Sequence, residues 1–227
     1  MTIADTFEMA IMKAVRGAEI SLSTLRMPKF MELRDEELRT KLSEHTDERL
    51  FVVFEALYRN ISISEIHNAT FIDEWFLGKL ANLVAFEKSI AGKPLDEETY
   101  LCGKRLGYTD QTLATLSGHP INFHATPTYK MVDTCAGEFS AETPYFYATY
   151  DKGENEAEAF TKEMCKPRLL VLGSGPIRIG QGIEFDYASV HCVWALQRLG
   201  YEVIIINNNP EPFLPISTPQ IAYILNH

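Results

Sequence analysis

Four polar residues, Arg178, Glu184, Asp186 and Glu211, are grouped around the glycines Gly173, Gly175, Gly180 and Gly182. Such a set can hold a small anion, because glycines leave open space and let backbone N–H groups approach, while a fixed arginine and carboxylates orient the guest. The same residues also allow a plainer reading, in which Arg178 and Glu184 pair and pin the loop. Two familiar phosphate loops do not fit. A G-x-G-x-x-G fingerprint starting at Gly173 needs glycine where Arg178 stands, and a ribose-gripping carboxylate would have to be Glu211, beyond Asn207, Asn208, Asn209 and Pro210. A Walker loop requires G-K-[ST], which the loop lacks.

The elements that must position these residues read as strand, turn and helix. Residues 169–172 form a short apolar run ending at Gly173, Gly175 and Pro176, and residues 187–198 carry apolar side chains at helical spacing. Gly200 stops that helix, and the β-branched run 203–206 predicts a second buried strand. Together they predict one parallel, right-handed βαβ unit. Ligands of such units lie at the carboxyl ends of the strands, where both the glycine loop and residues 207–211 must emerge. With two strands only, the unit is expected to expose both sheet edges and one apolar face.

GSGPIRIGQGIEFDY, followed by a helix and then NNNPE, resembles the start of the second synthetic half of the carbamoyl-phosphate synthase large subunit. TYKMVDTCAGEFSAETPYFYATY resembles the segment joining that family's oligomerisation domain to its second half. ADTFEMAIMKAVRGAE and FIDEWFLGKL are similar to the same family in the same order. The resemblance covers about residues 1–211. It leaves out residues 212–227, open to being a divergent stretch, a frame-shifted or appended tail, or a natural ending. It implies a fold class of α plus α/β: a mainly helical oligomerisation domain at 1–150, a linker at 151–166, and the opening of a Rossmann-like pre-ATP-grasp βαβ domain at 167–227.

In that family the large subunit makes carboxyphosphate and carbamate in its first half, then phosphorylates carbamate with a second ATP in its second half. The resemblance implies that Arg178, Gly182, Glu184 and Glu211 line the internal carbamate passage, with Gly173, Gly175 and Gly180 shaping the loop. It implies no catalytic or metal-binding residue in this stretch, and no cofactor of its own. ATP and Mg (or Mn) serve the parent enzyme through an ATP-grasp portion not found here, so the chain alone is expected not to turn over ATP. The partners implied are the rest of the large subunit, a glutaminase small subunit and further copies through residues 1–150. Two other readings remain: a stand-alone nucleotide-binding βαβ module, and a purely structural oligomerisation protein.

The bulk numbers agree with a folded chain of one or two domains: 227 residues, 46% hydrophobic. A formal charge of −10 with no basic cluster argues against nucleic acid. Residues 166–227 are neutral, with Lys166, Arg168, Arg178 and Arg198 set against Glu184, Asp186, Glu202 and Glu211, so the excess acid lies upstream. Cys102, Cys135, Cys165 and Cys192 are scattered, which points to reduced thiols. With no leader pattern and no apolar run near eighteen residues, a cytosolic, non-membrane location is expected.

Upstream, helical spacing predicts a helix over 4–18 burying Ile3, Phe7, Ala10, Ile11, Ala14 and Val15, and a short charged helix over 35–42. The nearly continuous apolar helix within 47–60 is expected to be hidden on several sides, with a partner chain as one way to complete its burial. Ser62 and Glu65 form a capping box, and Thr70 with Asp73 can open a helix to about Ala91, its core face including Phe71, Trp75, Phe76 and Leu80. Trp75 and Phe76 fit either core or interface. Asp96 and Thr109 cap two further helices, closed by Gly107 and Gly118. Residues 128–133 and 145–150 read as extended, as a hairpin or as two tethers. His45, His67, His119 and His124 have no partner at ligand spacing and read as structural.

Overall fold

A computed structural model describes residues 2–133, 135–140, 145–158, 166–173, 184–207 and 221–224, with the backbone alone given for 184–186, 207 and 221–224. Two compact units emerge: Thr6–His124, and Met1–Asp5 together with Ala125–His227.

The first unit is helical. Its elements are α1 (Phe7–Gly17), α2 (Pro28–Met31), α3 (Asp35–Leu42), α4 (Arg49–Tyr58), α5 (Ile63–Thr70), α6 (Glu74–Ile90), α7 (Glu97–Arg105) and α8 (Asp110–Ser117). Side-chain caps set several starts. Thr6 accepts from the Met9 N–H, Ser62 from Glu65, Asp73 from Trp75, Asp96 from Thr99 and Thr109 from Thr112. Thr6 therefore begins α1 later than the apolar spacing suggests. Its buried face also differs from that expected: Met9, Met12 and Val15 are buried, whereas Ala14 is exposed. The reason is a close approach: a Cβ built on Gly107 would lie 3.0 Å from the Met12 Cβ and 3.2 Å from the Met9 Cα, so α1 settles on that glycine. Arg16 Nη1 donates to the Gly107 carbonyl across the same contact.

Helix α4 is the centre of the unit. Phe51, Val52, Val53, Phe54, Ala56 and Leu57 are all buried, and α4 packs on α2, α3, α5 and α6. Its burial is thus completed inside the unit, with no need for a partner chain. Glu55 is also buried there, held by Arg26 at 3.1 Å and Arg59 at 3.0 Å. Arg59 also donates to the carbonyls of Phe30, Met31 and Leu33 and to Asp35. One guanidinium thereby ties the end of α2 and the turn before α3 to the core helix.

The second unit holds β1 (Thr128–Met131), β2 (Tyr145–Thr149), β3 (Arg168–Leu172), α9 (Glu184–Arg198), β4 (Glu202–Asn207) and β5 (Ile221–Ile224). The sheet order is β1-β2-β5-β4-β3. β1 and β2 pair antiparallel, so of the two expectations for these segments the hairpin holds and the tethers do not. β3, β4, β5 and β2 run parallel. The expected strand, helix and parallel strand are thus present in order. The two-stranded sheet with both edges open is not: β5, from the stretch outside the family resemblance, pairs with β4 at Ile204↔Ile221 and continues to β2.

Alternation along β4 explains the layers. Val203 and Ile205 are buried with Val171, Tyr145 and Val193 of α9, while the neighbouring Ile204 packs towards Phe146 and Ala157 on the other face. Gly200, at φ 91°, ends α9, and the Tyr201 N–H returns to the Leu196 carbonyl. Residues 2–5 belong with the sheet, since Ile3 packs on its core and the Thr149 hydroxyl donates to Asp5. Residues 151–158, expected as the start of a linker, lie along β1. The Glu156 N–H donates to the Tyr129 carbonyl, the Met131 N–H to the Glu156 carboxylate, and Ala157 is buried.

Candidate functional site

The β3 and β4 strands end side by side, with Leu172 in register with Ile206. The next residue, Gly173, donates its N–H to the Ile206 carbonyl at 2.6 Å. The glycine loop therefore leaves β3 against the carboxyl end of β4, the end from which residues 207–211 also depart. Helix α9 begins at Glu184, so the loop connects a strand carboxyl end to a helix amino end, where the helix dipole favours negative charge. Of the candidate residues, Gly173 lies at this end, and Glu184 and Asp186 stand in the first turn of α9. Gly175, Arg178, Gly180, Gly182 and Glu211 lie outside the described residues, as do residues 174–183 in general.

Helix α9 carries a feature not singled out from the sequence. Tyr187, His191 and Trp194 form a row, with ring centroids 4.0 Å apart for the first pair and 5.0 Å for the second. The i, i+4, i+7 spacing was the available signal. Two strand residues near the loop, Leu170 and Leu172, are exposed.

Among the buried titratable groups of the helical unit, Glu87 and Tyr108 form a pair that the sequence did not mark. The Glu87 side chain, 1% exposed, accepts from the Tyr108 hydroxyl at 3.0 Å. Burial pushes its carboxyl up to about 7, against the smaller opposing pull of the Tyr108 hydrogen bond and the Arg26 charge. Burial and the neighbouring Glu87 also drive the Tyr108 phenol upward. No signal in the spacing marks Glu87, because it falls on the apolar face of α6 between Phe86 and Ile90. The histidines serve local structure where they are tied: His67 Nδ1 lies 2.8 Å from the Ile72 carbonyl. Among the described residues, no group of three or more His, Cys, Asp or Glu could hold a metal ion, and no helix is long and apolar enough to cross a membrane.

Trp75 and Phe76 are not core residues. They stand exposed at the start of α6, as does Phe71 before it, while Leu77, Leu80, Leu83 and Val84 form the buried face. Asp73, rather than Thr70, caps the helix, because Thr70 closes α5 and turns its hydroxyl to the Ile66 carbonyl. With Leu77, Leu80, Leu83 and Val84 turned inward, Trp75 lies on the opposite side of the helix and Phe76 at its edge.

The chain thus combines a capped helical unit with an α/β unit in which α9 links the parallel strands β3 and β4. Residues 1–126 match the family model described as "Carbamoyl-phosphate synthetase large chain, oligomerisation domain", and residues 165–220 match "Carbamoyl phosphate synthase preATP-grasp domain". The chain belongs to the carbamoyl-phosphate synthetase large-chain family. It is 44% identical, over 93% of its length, to a protein of Lachnoclostridium phytofermentans named "Carbamoyl phosphate synthase large chain", of which it spans 20%.

Proposed function

We propose that this chain serves a carbamoyl-phosphate synthase large subunit in two local roles: assembly through its helical unit, and lining of an internal carbamate passage through its glycine loop. The parent reaction is a ligation that makes carbamoyl phosphate from bicarbonate, ammonia released from glutamine by a separate glutaminase subunit, and two ATP. It feeds arginine and pyrimidine synthesis in the cytoplasm. Support for the assembly role is the family match over residues 1–126. The single observation that carries the passage role is the Gly173 to Ile206 hydrogen bond, which starts the loop at the strand ends where residues 207–211 also begin.

In this reading Arg178 orients the carbamate anion, Glu184 and Glu211 bound the passage, and Gly182 leaves room. Gly175 and Gly180 keep the loop free of side chains beside Gly173. A closed passage excludes bulk water, in which carbamate decomposes. In this reading ATP and its Mg or Mn act in parts of the large chain beyond this segment. The segment alone then shows no ATP turnover.

The test uses the complete large chain with Arg178→Ala and, separately, Glu184→Ala. Bicarbonate-dependent ATP hydrolysis should persist while carbamoyl phosphate formed per ATP falls by roughly tenfold, the signature of a lost intermediate rather than a lost catalyst. An unchanged ratio in both variants would show that the loop is merely structural.

A further inference from the structure

We propose that residues 155–157 form a built-in cover for the outer edge of β1, occupying the backbone groups at which a further strand would otherwise add. The cover is independent of the assembly and passage roles.

In an antiparallel pair, backbone N–H and C=O groups point towards the partner strand and away from it at alternate residues. The Val132 N–H donates to the Tyr145 carbonyl at 2.7 Å, so Val132 faces β2, while Tyr129 and Met131 turn their groups outward. An outward row of this kind at a sheet edge is a template for another strand. Here it is already taken. The Tyr129 N–H donates to Asn155 Oδ1 at 3.3 Å, the Tyr129 carbonyl accepts from the Glu156 N–H at 2.9 Å, and the Met131 N–H donates to the Glu156 carboxylate at 2.6 Å. Two consecutive residues thus satisfy three outward groups, two of them through side chains. A further strand beyond β1 would present a fresh row of donors and acceptors, whereas side-chain acceptors end the ladder.

Three further contacts hold the segment there. Ala157 is buried against Phe146, with Tyr129 and Met131 packed on the same cluster. The Lys130 ammonium lies 3.6 Å from the Glu156 carboxylate, and a Cβ built on Gly153 would strike the Lys130 side chain, so the glycine leaves the lysine its course over the segment. The Thr128 hydroxyl reaches the Asp151 carbonyl at 3.4 Å, where the chain turns back over β1 after leaving β2.

Composition gives the cover its purpose. β2 reads Tyr-Phe-Tyr-Ala-Thr, an uncharged, aromatic and β-favouring run of the kind that recruits other strands when an edge beside it is bare. The covering segment is acidic, with Asp151, Glu154, Glu156 and Glu158, and is exposed apart from half-buried Asn155 and buried Ala157. Hydrogen bonds and ion pairs so close to water add little to global stability, so their effect lies in what they exclude.

The test is made on the whole 227-residue chain, by amide exchange at Tyr129 and Met131, light scattering on prolonged incubation, and a thermal melt. Glu156→Ala should melt within about 3 °C of wild type. It should nevertheless exchange the Met131 amide, and gain scattering, at least about tenfold faster. Glu156→Gln, which keeps an acceptor for Met131, should restore both. Ala157→Asp, which dislodges the segment by setting a charge against the Phe146 cluster, should aggregate faster still. Met131→Pro in the Glu156→Ala background removes an outward N–H and no bond to β2, so it should return scattering to the wild-type rate. Unchanged exchange in Glu156→Ala would overturn the cover itself. Faster exchange without faster scattering, in both Glu156→Ala and Ala157→Asp, would overturn its protective role. Scattering that stays fast with Met131→Pro, or that rises only in proportion to a lost melting temperature, would place aggregation elsewhere and overturn that role equally.

Discussion

Glu87 and Tyr108 show how a single buried pair sets a pH response. The Glu87 carboxyl titrates near 7 in the folded unit and near its ordinary 4.5 once unfolded, because burial penalises its charge. A carboxyl raised in the folded state favours folding fully below about 4.5, and that contribution is lost as pH rises through about 7. The exposed carboxylates of Glu37 and Asp96 are shifted the opposite way by their hydrogen bonds, and act only below the ordinary carboxylate range. Chemical denaturation of the chain between pH 5 and 8 should therefore show stability falling by a few kcal/mol towards alkaline pH. Glu87→Gln, which keeps an acceptor for Tyr108, should flatten that slope. An equally steep slope in the variant would place the titration elsewhere. Glu87 and the Glu55 ion pairs were illegible beforehand for one reason: an isolated acid in an apolar helical run carries no mark of what it meets across the core.

At the scale of elements, the glycines separate into those that packing demands and those that it does not. Gly107 is at φ 94° with α1 pressed against it, so Gly107→Ala meets both backbone strain and a clash with Met9 and Met12. It should cost roughly 2–3 kcal/mol in a denaturation experiment. Asp96→Ala, which removes only the cap of α7, should cost about 1 kcal/mol. Gly78→Ala should instead stabilise the unit by about 1 kcal/mol. The reverse order would mean that the α1 contact is not a fixed point of the unit. Helix existence and most caps were readable from local chemistry, as Ser62, Asp96 and Thr109 show. The faces were less so. Apolar spacing cannot tell Trp75 in a core from Trp75 on a surface; the packing of Leu77, Leu80, Leu83 and Val84 decides it.

Across the whole chain, long-range pairing was the part least visible in advance. The β3, α9 and β4 sequence was legible because turn, helix stop and strand follow one another locally. Insertion of β5 between β4 and β2 depends on contacts between segments far apart in sequence, and no local pattern encodes it. Gly173 and the carboxyl end of β4 meet, as the local strand-and-turn pattern requires. As proposed above, the helical unit assembles without the rest of the large chain. Sedimentation velocity of this 227-residue chain, over a wide concentration range, tests it most directly. The weight-average sedimentation coefficient should climb with concentration from monomer towards an oligomer. A single concentration-independent monomer boundary would contradict it.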